Sequence, residues 1–62
     1  MSDAERHLVA ELARVVREHR DLIVRSEQLP DGTIPDSRVR AEVEELDRLL
    51  ELARVAMEEA AS

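Results

Sequence analysis

The chemistry open to this chain rests on two histidines, the hydroxyls of Ser2, Ser26, Thr33, Ser37 and Ser62, nine basic and fifteen acidic side chains. There is no Cys, Lys or Tyr to act as a nucleophile or a tuned base. Ser26 is the hydroxyl best placed for an interior site, but a nucleophile needs a base and a third group to orient that base. His19, the nearest candidate, stands about two helical turns away along the same helix.

Metal chemistry is no better provided. His7 and Glu11 are four apart and share a helix face, which offers two ligands; an isolated pair at that spacing reads as a surface contact. The Glu-x-x-His pattern of carboxylate-bridged di-metal bundles is absent. A symmetry-related pair of His19 side chains has the geometry to ligate haem, yet the chain has no aromatic residue and one Gly with which to make room for a porphyrin. No enzymatic activity, metal or cofactor is therefore expected, and a metal- or cofactor-binding bundle stands as an alternative from another class.

Nucleic-acid binding calls for clustered basic charge. Here all nine basic residues are Arg, the five in the first half are interleaved with acids, and the net charge is −6. That balance disfavours nucleic acid and anionic membrane as partners. No apolar run approaches the roughly 18 residues of a transmembrane helix, and Met1-Ser2-Asp3-Ala4-Glu5 lacks the basic and apolar regions of a signal peptide. The expectation is a cytoplasmic protein.

The elements that carry these residues are helical. Pro30, Gly32 and Pro35 are the chain's only prolines and glycine, and they leave two long stretches without helix breakers. Ser2 and Glu5 have the spacing of a capping box, so the first helix is predicted over about 3–29. Asp31-Gly32 supplies turn chemistry within a turn over about 30–35. Thr33, Asp36 or Ser37 can cap a second helix over about 36–61. Four i,i+4 pairs, Asp21 with Arg25, Arg40 with Glu44, Glu44 with Arg48 and Arg54 with Glu58, support both helices.

The apolar spacing then predicts how they meet. Leu8, Leu12, Val15, His19, Leu22, Ser26 and Leu29 recur in steps of four and three, as do Val39, Val43, Leu46, Leu50, Ala53, Met57 and Ala60. A short connection makes the helices antiparallel, and one register, with facing residue numbers summing to about 65, matches the two rows throughout. In that register His19 lies inside the seam opposite Leu46, where an aliphatic residue would satisfy the pattern better. Burial there would keep the imidazole neutral, as a core histidine bonded to a neighbouring carbonyl or side chain, with a register-setting or pH-sensing part as the alternative.

Each helix carries more apolar surface than one seam needs. Val9, Val16 and Ile23 widen the first stripe, and Leu49, Leu52 and Ala56 widen the second, so each arc reaches roughly 160° against about 100° for a helix packed on one core. Which stripe faces the hairpin mate is left open by the spacing. With 62 residues, no disulfide and no metal, the remaining routine source of stability is association. The sequence thus predicts an all-α antiparallel two-helix hairpin, one domain over 1–62, dimerising into a four-helix bundle. Its expected function is protein–protein interaction or assembly through aliphatic helix faces, at or beside Val9, Val16, His19, Ile23, Leu46, Leu49, Leu52 and Ala56. The alternative is a small accessory subunit docking on a larger complex.

Overall fold

A computed structural model describes residues 1–61, so the Ser62 hydroxyl lies outside the described residues. Two helices of 25 residues each, α1 (Asp3–Glu27) and α2 (Ser37–Ala61), pack side by side as an antiparallel hairpin measuring 41 × 17 × 15 Å. Each helix spans about 38 Å at 1.5 Å per residue, so the hairpin is as long as its elements allow.

Local chemistry sets the ends of α1. The Ser2 hydroxyl accepts from the Glu5 N–H at 3.1 Å, and the Glu5 carboxylate accepts from the Ser2 N–H at 3.4 Å, which completes the capping box. The helix stops at Glu27, two residues before the predicted Leu29, because Gln28 takes extended geometry (ψ 133°) and the turn claims Leu29. The Leu29 N–H donates to Thr33 O at 2.8 Å, and the Gln28 side-chain amide donates to Gly32 O at 2.9 Å. Pro30 reinforces this by disfavouring helical geometry in the residue before it.

The turn closes on a positive φ. Gly32 sits at φ +88°, a conformation open to glycine and strained for an L side chain, and its N–H donates back to Leu29 O at 2.9 Å. Asp31 Oδ1 accepts from both the hydroxyl and the N–H of Thr33, at 2.7 and 3.0 Å. Of the candidate caps for α2, Asp36 fills the position: its carboxylate accepts from the Arg38 N–H at 2.9 Å, and its carbonyl accepts the first helical bond, from Arg40 N, at 3.0 Å.

The seam lies one residue round α1 from the regular row of fours and threes. Val9, Ala13, Val16, Arg20 and Ile23 are half-buried against Val39, Val43, Leu46, Leu50, Ala53 and Met57, whereas Leu8, Leu12, Val15 and Leu22 stand more than half exposed. The α2 row is the one that the spacing places inside; the α1 row is not. Register along the axis stays within a residue of expectation, since Val9 with Met57, Ala13 with Ala53 and Val16 with Leu50 line common grooves between the helices. Facing alanines and β-branched side chains explain the rotation: Ala13 opposite Ala53 lets the backbones approach more closely than Leu12 would.

Arg20 shows how a charged residue occupies a seam position. Its stem lies along the helix contact, and its guanidinium leaves the seam to donate to Asp47 Oδ1 at 2.9 Å and to Asp21 Oδ1 at 3.3 Å. Of the four expected i,i+4 pairs, Arg54 with Glu58 forms, and Arg54 also bonds Glu51. Arg48 turns instead to Glu45, one turn back. Asp21 is taken by Arg20. Arg40 folds back to cap the turn, donating to the carbonyls of Ile34 at 2.7 Å and Pro35 at 3.3 Å. Among the described residues, none of the helices is long and apolar enough to cross a membrane.

Candidate functional site

Among the described residues Val43 alone is buried, at 9% exposure. Around it the hairpin leaves a continuous apolar face uncovered. On α1 this face carries Leu8, Leu12, Val15 and Leu22, exposed by 52–59%, and beyond the helix Leu29. These residues recur at three- and four-residue steps, so they form one line about 100° round the helix from the seam. On α2 the large exposed apolar residues are Leu49 and Leu52, at 42% and 56%.

Both sets lie on the same side of the molecule. Leu12 and Leu49 line one groove, of about 300 Å³, with Val9, Ala13, Val16, Leu50 and Ala53, so the leucines of the two helices flank the seam together. Toward the turn the face becomes mixed. A wider groove of about 510 Å³ is lined by His19, Leu22, Ile23, Ser26, Glu27, Val39 and Glu42. His19 Nε2 comes within 3.6 Å of Glu42 Oε1 there, and the two side chains are 58% and 54% exposed.

The expected interface residues therefore divide. Leu49 and Leu52 are exposed on the face; Val9, Val16, Ile23, Leu46 and Ala56 are half-buried. His19 is not in the hairpin seam opposite Leu46. It stands on the exposed face beside Glu42, and the burial on which a neutral, pH-sensing imidazole depended is absent from the hairpin. The leucines assigned to the seam, Leu8, Leu12 and Leu22, are the ones left outside. Their signal was present in the chain: bulky Leu filled one row, and Val, Ala and Ile, which allow closer helix approach, filled the adjacent one.

The polar groups are largely occupied by helix-surface pairing. Glu11, the partner considered for His7, is bonded by Arg14, whose Nη2 reaches its Oε2 at 2.9 Å. That hydrogen bond and the guanidinium charge hold the Glu11 carboxyl below its usual range, with a smaller contribution from His7. Arg14 also donates to Glu18 at 3.0 Å. Among the described residues no group of three His, Cys, Asp or Glu is arranged to hold a metal ion.

In comparisons with protein-family models, curated proteins and solved structures, the chain matches none of them.

Proposed function

We propose that this chain is a non-enzymatic assembly module that associates with itself through the exposed leucine face, two hairpins completing a four-helix bundle. The observation that carries this reading is surface area. A compact folded chain of 7.0 kDa exposes about 4,000 Å² by the usual scaling, whereas this hairpin exposes 4804 Å². The excess of roughly 800 Å² is about what one partner contributes to a standard protein–protein interface. Covering that much of a mainly aliphatic face yields on the order of 10 kcal/mol gross per copy, before the entropy of association is subtracted.

The composition supports the same reading. A chain this small, with one buried side chain among the described residues, gains its missing core most directly from a second copy, because the face is self-complementary in chemistry and a two-fold pairing closes on itself. Most of the ion pairs join side chains within a helix turn, which suits a helix surface around a core better than a reaction centre.

Sedimentation equilibrium of the purified chain, together with far-ultraviolet circular dichroism over a hundredfold dilution, tests the reading. The expected result is dimer mass, with helicity and melting temperature falling on dilution as mass action requires. A stable, helical monomer throughout would overturn it. A poorly helical monomer would also overturn it, and would favour docking on a larger protein.

A further inference from the structure

The two helices do not offer equal surfaces to a second copy. On α1 the exposed line runs over most of the helix, from Leu8 through Leu12 and Val15 to Leu22, with His19 set between the last two. On α2 the exposed leucines end at Leu49, and toward the turn the same side carries Glu45 and Glu42, both exposed. Stacking α1 on the second copy's α2, with the helix axes level, would set Leu22 over these acids. Stacking α1 on α1 keeps the α1 line clear of these acids and leaves them to the α2 side of the dimer.

Resting on the self-association reading above, we propose that the dimer forms by α1 packing antiparallel on α1 of the second copy, about a two-fold axis midway between Val15 and His19. The line advances in steps of four and three, and antiparallel helices interlock when each step of one faces an equal step of the other. One register uses the whole line. It sets Leu12 against the second copy's Leu22, Val15 against its His19 and Leu8 against its Ser26. The small hydroxyl of Ser26 at the end and the ring of His19 beside a valine then have defined neighbours.

Charge favours the same direction. Glu11, Glu18 and Arg25 lie along the outer rim of the line at intervals of seven residues, and Arg25 has no carboxylate partner among the described ion pairs. Antiparallel packing brings Arg25 of each copy toward Glu11 of the other at both ends of the seam and the two Glu18 side chains toward each other at the axis, so two approaches of opposite charge stand against one of like charge. The same axis passes close to Leu49, which lies level with the centre of α1 in the hairpin register and so meets its own copy.

The chain contains no Cys, so single cysteines report neighbours directly. Val15→Cys, His19→Cys and Leu52→Cys variants with tags of different length are refolded in pairs and oxidised in dilute solution. A disulfide requires Cα atoms about 4.4–6.8 Å apart. The expected product is the mixed Val15→Cys with His19→Cys dimer, in excess over either self-linked species. Self-linked Val15→Cys as the main product means parallel helices and overturns the proposal, as does preferential linkage to Leu52→Cys, which places α1 on α2. Absence of any link in a chain of dimer mass overturns it too. Monomer mass for the unaltered chain would instead overturn the underlying self-association, so the two failures are distinguishable.

Discussion

Arg20 Nε donates to Asp47 Oδ1 at 2.9 Å, joining the middle of α1 to the middle of α2 across 26 intervening residues. The guanidinium is also raised in basicity by this bond, with a smaller contribution from Asp21. Both side chains retain solvent contact, which limits the pair to roughly 0.5 kcal/mol of coupling. A double-mutant cycle of Arg20→Met and Asp47→Ala, followed by urea unfolding at one fixed concentration, should return a coupling of about that size. Arg20→Met alone should cost little, because its stem continues to cover the seam.

Gly32 supports a second prediction. A Cβ added there would meet nothing within 4 Å, so the penalty for Gly32→Ala comes from the backbone at φ +88° and not from crowding. The expected loss is about 1 kcal/mol, with Gly32→Asn less affected because Asn tolerates the left-handed region better. Equal melting temperatures for all three chains would show that the turn can relax into another shape.

Acid should weaken the fold through its carboxylates. The hydrogen bond from Arg14 holds the Glu11 carboxyl down, Arg48 does so for Glu45 and Arg54 for Glu51, while the Thr33 hydroxyl and then its N–H act on Asp31. In each case the folded pKa is depressed. The stability it brings is present above the unfolded values, 4.5 for Glu and 3.8 for Asp, and is lost as pH falls through the lower folded ones. Helicity in 0.15 M salt should hold from pH 7 to about 5 and decline below, and Asp31→Asn should lessen the decline while lowering stability at neutral pH. A rise in helicity on acidification would show instead that relief of the −6 net charge dominates.

His19 tests the exposed face. In the hairpin its side chain is 58% exposed, so His19→Leu should change the stability of an isolated hairpin little. In the proposed dimer the same change fills a polar gap between Val15 and Leu22 and should tighten association, roughly tenfold in the dissociation constant measured by sedimentation. Unchanged affinity would place the interface away from this line.

The fold was legible because its signals are local. Ser2 with Glu5, Pro30, Gly32 and the α2 row from Val39 to Met57 each act through near neighbours, and the hairpin and its register follow from them. The rotation of α1 was not legible from periodicity, since Leu8-Leu12-Val15 and Val9-Ala13-Val16 are adjacent apolar rows and either satisfies the period. Side-chain volume decided between them, with Ala13 meeting Ala53 and Arg20 able to reach Asp47 from a seam position. Charge pairing was legible only in part: Arg40 was expected to serve Glu44, and it donates instead to the carbonyls of Ile34 and Pro35.

The turn between Leu29 and Thr33 also has a kinetic consequence. Its bonds span four residues or fewer, and Val43, the buried residue, lies just seven positions into α2. Closure can begin at the turn and advance outward, each new helix contact adding only a little more loop to order, which is the route of fast-folding helical proteins on a scale of microseconds to milliseconds. Encounter of two copies at micromolar concentration is slower, with rate constants of about 10⁵–10⁷ M⁻¹s⁻¹. Refolding by rapid dilution should therefore show a helix-forming phase independent of concentration, followed by a phase whose rate rises in proportion to it.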